Sequence, residues 1–426
     1  MGIRLTESQY DIIVVGGGAA GLMAAGTAAS YGRRVLLAEK NHRLGRKLLI
    51  TGKGRCNITN NCDIDTLMQN IPTNNKFLYS AFRSFSSDDT IRFFEQRGLP
   101  VKTERGNRVF PESDKAADVA DVLIRYCRSA GVVFVQEEVS AIAVQNGQAS
   151  GIICKSGKKY TADAVIITTG GLSYPLTGST GDGYRFAEKV GHTVVPPVPA
   201  LVPLIIHEQW CKELQGLSLR NVTLTVKETQ TGKFLYSELG EMLFTHFGVS
   251  GPLVLSCSAH MRNMKPGKYQ IYIDCKPALD EKQLDNRLLR DFQKYANRDF
   301  SNALHELLPQ KLIPVFIRLC RIPPDKKVNQ LSKEDRRAMI EQLKRMELTV
   351  DGFRPITEAI ITSGGIKTSE INPKTMESKC CPCLYFAGEV IDVDAYTGGF
   401  NLQIAFSTGY LAGISASENT LRKESL

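Results

Sequence analysis

A chain of 426 residues with 42% hydrophobic content is long enough for two or three domains. No apolar run reaches bilayer-spanning length and the N-terminal MGIRLTESQYD lacks the apolar core of a signal peptide, so a cytoplasmic protein with no membrane partner is expected. The formal charge of +9 is spread among 44 acidic residues without a basic block, and the eleven cysteines are scattered; a solvated surface and reduced thiols are expected, not a nucleic-acid partner or a disulfide framework.

From Tyr10 the chain reads YDIIVVGGGAAGLMAAGTAASYGRRVLLAEK. Ile12 to Val15 form a buried strand, Gly16, Gly18 and Gly21 satisfy G-x-G-x-x-G, Ala19 to Ser30 continue as a small-residue helix, and Val35 to Ala38 resume as a strand ending at Glu39. Gly16 permits the turn, Gly18 lets backbone approach a pyrophosphate, and Gly21 lets the helix lie close on the sheet. The helix N-terminus, with Ala20 in its first turn, faces that phosphate. Glu39 is placed to accept hydrogen bonds from an adenosine ribose, with Lys40 beside it. The unit predicts a dinucleotide site without saying which dinucleotide.

His42 to Asn61, HRLGRKLLITGKGRCNITNN, reads as a loop. Gly45, Gly52 and Gly54 allow close backbone approach, and Lys47, Lys53 and Arg55 add donors and positive charge. Cys56 and Asn57 lie in the same wrap, which is expected to border the reactive ring of the cofactor. Cys56 and Cys62 are spaced C-x-x-x-x-x-C, one residue longer than the redox pair of flavin disulfide reductases, so ordinary thiols are favoured over thiol exchange.

Two short amphipathic helices follow between Phe77 and Leu99, the second capped by Ser86, Ser87 or Asp88. A helix from about Ala116 to Ala130, capped by Ser113 or Asp114, precedes a meander from Val132 to Ile167. The meander ends in Thr168, Thr169, Gly170 and Gly171, which brings bare backbone to the cofactor a second time. The segment 194–203, VVPPVPALVP, marks a domain boundary. Short alternating strands from Leu204 to Lys276 predict a small barrel or sandwich. Within them, Glu241, Thr245 and His246 in GEMLFTHFGVSGP are the candidate catalytic group, since histidine is the side-chain type suited to proton transfer near neutrality. From Leu279 to Met346 the pattern is helical.

Near the C-terminus, Leu384 to Ala387 predict a strand returning to the first sheet. Gly388 and Glu389 then offer backbone and carboxylate to a ribityl or pyrophosphate group. Gly398 and Gly399 start a long helix carrying Asn401 and Leu402, whose N-terminal amides would stabilise the anion of a reduced flavin; a nicotinamide would not need this second glycine turn. Cys380, Cys381 and Cys383 in KCCPC contain one C-x-x-C with no second ligand pair, so no metal site is expected.

GKGRCNITN, GEMLFTHFGVSGP, AGEVIDV and TGGFN together resemble the BaiN/YhiN-type, or aminoacetone-oxidase-type, family of NAD(P)/FAD-dependent oxidoreductases, over nearly the whole chain. The resemblance implies an α/β, glutathione-reductase-type (Rossmann-like) FAD-binding domain, 1–193 with 351–426, interrupted by a β-rich barrel-like domain, 194–277, and a small helical domain, 278–350. It also implies that Val139 lies near adenine, and that the Arg55 loop with the Glu389 and Asn401 segments surrounds the flavin. The expected activity is hydride transfer between a small organic substrate, an amine or conjugated enone, and flavin N5, with NAD(P)H as a transient substrate or oxygen as electron partner. A flavin-dependent RNA-modifying enzyme and a non-catalytic flavin redox sensor are the alternatives.

Overall fold

The computed structural model describes residues 9–424; residues 1–8, which hold most of the segment read above for a signal peptide, lie outside the described residues. The chain divides into two compact units, 1–200 with 359–426, and 201–358.

The first unit is built on a seven-stranded sheet. Gln9–Val15 lies between Val35–Glu39 and Lys159–Ile167, all parallel, with Val15 opposite both Ala38 and Ile167. Val133–Gln136 extends the sheet beyond Val35–Glu39. These central strands are buried on both faces, which explains their unbroken aliphatic runs. Lys159–Ile167 changes partner along its length. Its first residues pair antiparallel with Gln148–Cys154 of the meander, and Val165 to Ile167 pair parallel with Leu384–Phe386. The strand expected to return from the far end of the sequence does so.

The glycine-turn helix, Ala19–Ser30, is buried along nearly its whole length. The C-terminal helix, Phe400–Glu424, crosses it closely: a Cβ at Gly409 would lie 2.5 Å from Ala20 O, and one at Gly413 would lie 2.7 Å from Ala24 O. Small residues on both sides let the backbones touch, so the alanine-rich sequence is a packing requirement.

Of the three caps offered for it, Ser86 is the one that Ser87–Glu95 uses, in a capping box with Asp89. Ala116–Ser129 does not start on an acid: its N-cap is Lys115, with no side-chain cap. Asp114 is instead committed to Arg55 and Lys102.

The second unit holds a closed six-stranded barrel, in the order Leu204–Ile206, Gly248–Ser250, Phe234–Phe244, Ser218–Glu228, Tyr269–Asp274 and Met346–Phe353. The three-residue Leu204–Ile206 strand closes it by pairing with both Gly248–Ser250 and Met346–Phe353. Strict alternation, as in Tyr269–Asp274, turns every second residue inward. The helices Glu281–Lys294, Ile313–Cys320 and Lys333–Lys344 share this core: Leu284, Phe316 and Met339 join Ile271, Ile273 and Leu348. The boundaries read at 193, 277 and 350 follow changes of periodicity. The compact units divide at 200 and 358 instead, because Val194–Ala200 pairs with Ile361–Ile366 in the first unit and Met346–Phe353 completes the barrel after the helices. Among the described residues, no helix is long and apolar enough to cross a membrane.

Candidate active site

Val15, Glu39, Ile167 and Phe386 end four neighbouring parallel strands, and the loops leaving them carry most of the predicted cofactor residues. Open parallel sheets bind ligands at this edge. Gly16 has φ +106°, and a Cβ there would lie 2.7 Å from Thr168 O; a Cβ at Gly21 would lie 1.9 Å from Gly16 O. Gly18 is different. Nothing lies within 4 Å of the direction its Cβ would take, and the helix behind it starts with no side-chain cap and no acid in its first turn. The turn therefore presents uncapped amides beside open space.

Glu39 braces this turn, accepting from Gly17 N at 2.7 Å and from Asn41 N at 2.8 Å and Asn41 Nδ2 at 2.7 Å. Lys40 Nζ reaches Thr180 Oγ1 and Asp182 Oδ2, both at 2.6 Å. Glu137 N donates to Glu39 O at 3.0 Å, so Val139, buried at the head of the next strand, follows directly from this corner. Thr168 Oγ1 donates to Val15 O and Gly16 O, while Thr169 Oγ1 is buried with no hydrogen-bond partner. Gly170 has φ +72° beside Ser179.

The stretch read as a loop contains the short helix Arg46–Ile50 and a turn at Thr51–Gly54 in which Gly52 and Lys53 are left-handed. Their few residues are too short for periodicity to reveal. Lys47 Nζ donates to Ser173 Oγ and Glu389 Oε2, both at 2.6 Å. Glu389 Oε1 also accepts from Ser173 Oγ at 2.9 Å and Thr362 N at 2.8 Å. Four segments thus converge on one carboxylate. Arg55 lies over the Phe110 ring at 4.2 Å and pairs with Asp114 and Glu104, which raises its own pKa through Glu104 first and Asp114 next. Gly54 faces open space, and Asn57 Oδ1 is buried with no hydrogen-bond partner. Cys56 and Cys62 are free thiols; burial pushes Cys56 up to about 12 and, with Asp63 and Asp88, Cys62 up to about 11, so neither is a ready nucleophile at neutral pH.

Gly388, at φ +77°, donates its N–H to Thr408 Oγ1 at 2.9 Å. A Cβ at Gly399 would lie 2.3 Å from Thr59 O, so the long helix begins in contact with the GKGRCNITN segment. Asn401 folds back on the preceding turn, accepting from Ala395 N at 3.0 Å and donating to Ala395 O at 2.8 Å. Leu402 beside it is half-buried. Sequence reasoning overlooked Ser173, Thr362, Tyr184 and Gln403, ordinary polar residues that no local motif singles out. Tyr184 OH is buried without a partner, near the position a Cβ on Gly171 would take.

Glu241, Thr245 and His246 belong to the second unit. Glu241 is exposed on the Phe234–Phe244 strand opposite Arg220, and the extended chain sets it roughly 10 Å behind Phe244. His246 is exposed, its ring 4.9 Å from that of Phe247, with Glu358 in electrostatic reach. Thr245 Oγ1 is buried with no partner. Of the three C-terminal cysteines, Cys380 meets His192 and Glu370, a grouping that C-x-x-C spacing does not reveal.

The residues fit FAD. An uncapped helix with open Gly18 suits a pyrophosphate, and the buried orphan atoms of Asn57 and Thr169 offer hydrogen bonds that the protein itself leaves unmade.

Comparison with known proteins agrees. The model of the family described as "HI0933-like protein Rossmann domain" matches residues 10–415. The 3-dehydro-bile acid delta(4,6)-reductase of Clostridium scindens is 32% identical over 412 residues, covering 95% of this chain and 98% of the relative. The ribosomal RNA dihydrouridine synthase of Escherichia coli is 32% identical over 404 residues, covering 94% and 96%. Among solved structures, 3-ketosteroid delta1-dehydrogenase from Sterolibacterium denitrificans shares the fold with TM-score 0.52 at 13% identity, covering 97% of this chain and all of that one.

Proposed function

The chain belongs to the HI0933-like family and is an FAD-dependent oxidoreductase, and from that premise we propose that it reduces a carbon–carbon double bond conjugated to a carbonyl group. The observation that carries the cofactor half of the reading is the open, uncapped glycine turn at the ends of the parallel strands; the substrate half rests on the relatives' names. When bound, FAD supplies hydride chemistry at N5, with NAD(P)H as the proposed donor.

The names of the two sequence relatives support this substrate class. A Δ4 double bond beside a 3-oxo group is an enone, and a dihydrouridine forms when the uracil double bond conjugated to its C4 carbonyl is saturated. In both, the carbon remote from the carbonyl accepts the electron pair and its neighbour then takes a proton. His246 is proposed as the group that delivers that proton, beside Thr245, whose buried hydroxyl has no partner; Glu241, exposed on the strand opposite Arg220, is given no part in it. In the first unit, Glu39 and the turn hold the ADP half, while Lys47, Ser173, Thr362 and Glu389 form a rigid wall for the rest of the cofactor. A uridine base in ribosomal RNA is the second reading of the substrate, suggested by the name of one relative alone. A cytoplasmic location is proposed with it.

The test begins with the absorbance of the purified protein incubated with FAD. The loaded protein is then reduced anaerobically and mixed with a 4-ene-3-oxo steroid or with unmodified ribosomal RNA. Reoxidation of the flavin by either supports the reading and chooses between substrates. A protein that takes up no FAD defeats the cofactor assignment. An FAD-loaded protein that is reduced by amines and reoxidised only by oxygen defeats the conjugated-alkene reading.

A further inference from the structure

His192, Glu370 and Cys380 reach one point from three separate segments. His192 precedes Val194–Ala200, Glu370 closes the turn Thr368–Glu370, and Cys380 precedes Leu384–Phe386. Their ligand atoms lie within 4.8 Å of one another. The imidazole is fully buried, edge-on to the Phe386 ring at 4.8 Å. Its Nε2 is 2.6 Å from Ser378 Oγ, which also accepts from Cys380 N at 3.0 Å and Cys381 N at 2.8 Å, so one serine positions both the ring and the cysteine backbone. Nδ1 is buried with no hydrogen-bond partner; Glu370 Oε2 stands 3.5 Å away, beyond hydrogen-bond length.

We propose that His192 Nδ1, a Glu370 carboxylate oxygen and Cys380 Sγ bind one divalent transition-metal ion of the zinc class. The ligand set carries the choice. Imidazole, carboxylate and thiolate together suit zinc and its neighbours, whereas magnesium and calcium take oxygen ligands. Three protein ligands leave the fourth tetrahedral position to water on the exposed side, where Cys380 lies. Bonds of about 2.0–2.3 Å place tetrahedral ligand atoms roughly 3.3–3.8 Å apart, so the cluster must tighten by about 1 Å, within reach of a rotation at Cys380. On binding, the Cys380 thiol releases its proton to solvent, the Nδ1 lone pair turns to the metal, and Nε2–H donates to Ser378 Oγ in place of Cys380 N, whose bond is released as Cys380 rotates.

The position makes this ion a fastener, not a catalyst. Cys380 enters the Leu384–Phe386 strand from its N-terminal end, while Gly388 and the cofactor loops leave its C-terminal end. Binding would tie three segments of the first unit together at the edge of the sheet opposite the glycine turn.

The experiment uses the full-length, FAD-loaded protein stripped with a chelator and titrated with Co2+, then competed with Zn2+. Expected are one equivalent of Co2+ with tetrahedral ligand-field bands to the red of the flavin's own, displacement by Zn2+, and a rise in thermal midpoint. C380S and E370Q, both at accessible positions, are expected to weaken Co2+ by more than about 100-fold, and S378A by about 10–100-fold as an outer-shell change, with FAD content unchanged. Absence of Co2+ and Zn2+ binding to the wild-type protein overturns the proposal. So does binding that C380S and E370Q leave intact.

Discussion

Lys47 and Glu389 are 342 residues apart in sequence, yet Lys47 Nζ donates to Glu389 Oε2 at 2.6 Å. Both side chains are about three-quarters buried, and Ser173 Oγ and Thr362 N donate to the other carboxylate oxygen. Removing the cation leaves a partly desolvated carboxylate with two neutral donors. Lys47→Met is expected to cost about 1–2 kcal/mol, less than for a fully buried pair because water still reaches it. FAD affinity should fall about tenfold, and Glu389→Gln, whose oxygen can keep Ser173 Oγ and Thr362 N but whose amide nitrogen then faces the Lys47 ammonium donor to donor, should fall at least as much. Thermal unfolding and a fluorescence titration with FAD check both; equal affinity in Lys47→Met and wild type would show that this wall does not support the cofactor.

Gly18 and Gly21 separate folding from binding. A Cβ at Gly21 meets Gly16 O at 1.9 Å, so Gly21→Ala must displace backbone and is expected to destabilise by about 1–3 kcal/mol or more while losing FAD. A Cβ at Gly18 meets nothing in the protein, and the backbone there, at φ −84°, accepts alanine. Gly18→Ala should leave the melting of the FAD-free protein within about 0.5 kcal/mol of wild type and still weaken FAD by roughly 100-fold, because the methyl fills the phosphate approach. An FAD affinity untouched by Gly18→Ala would place the pyrophosphate elsewhere.

Arg55 is held over Phe110 by Glu104 and Asp114. Glu104 lies below its ordinary value of 4.5, chiefly through Arg55, and Asp114 below its ordinary 3.8, through Lys102 and then Arg55. Depressed carboxylates contribute stability that is present above their unfolded pKa values and lost as pH falls through the folded ones. The anchorage of the 51–57 turn is therefore complete at neutral pH and fails below about pH 4. The protection factor of that turn, the intrinsic exchange rate at each pH divided by the observed one, should fall on acidification in the wild type, while a Glu104→Gln, Asp114→Asn double variant should be poorly protected already at pH 7. Equal exchange in the two proteins at pH 7 would show that these carboxylates do not hold the turn.

What could be read from residues alone was the local part. The glycine turn, its helix and Glu39 sit within one stretch of thirty-one residues, Tyr10 to Lys40, so type and spacing make the strand, turn, helix and terminal acid legible together. Glu389 stood out because glycine precedes it. Ser173 and Thr362 did not, since a serine and a backbone amide acquire meaning only when Lys47 and Glu389 meet them in space. Proximity in sequence offers Ser113 or Asp114 as the cap of Ala116–Ser129, whereas in the fold Asp114 bonds Arg55 and Lys102. Barrel and sandwich share one alternation; what decides between them is the Leu204–Ile206 strand, three residues long and indistinct in sequence. Cys380 was judged by its spacing to Cys383, though its neighbours in the fold are a histidine and a glutamate from other segments.

Gln403 is the buried joint between the long helix and the cofactor loop. Its Oε1 accepts from Thr59 Oγ1 at 2.6 Å and Thr90 Oγ1 at 2.8 Å, and its Nε2 donates to Phe85 O at 3.1 Å and Ser407 Oγ at 2.9 Å. Gln403→Leu removes all four contacts; Ser407 still serves Phe85 O and Thr90 Oγ1 still donates to Ser86 O at 3.1 Å, so the Thr59 hydroxyl, left with Ser87 Oγ at 3.4 Å, bears most of the loss. At about 1–3 kcal/mol for a poorly satisfied buried group, the variant is expected to lose roughly 2 kcal/mol. Thr90→Val, which strands nothing because Thr59 still bonds Gln403, should cost about 1 kcal/mol. Thr59 O also touches Gly399 at the helix start, so Gln403→Leu should weaken FAD as well, and Thr90→Val should not. Thermal midpoints of the FAD-free proteins and FAD titrations separate the two effects; a Gln403→Leu protein no less stable than Thr90→Val would mean that the network is replaced by packing at no net cost.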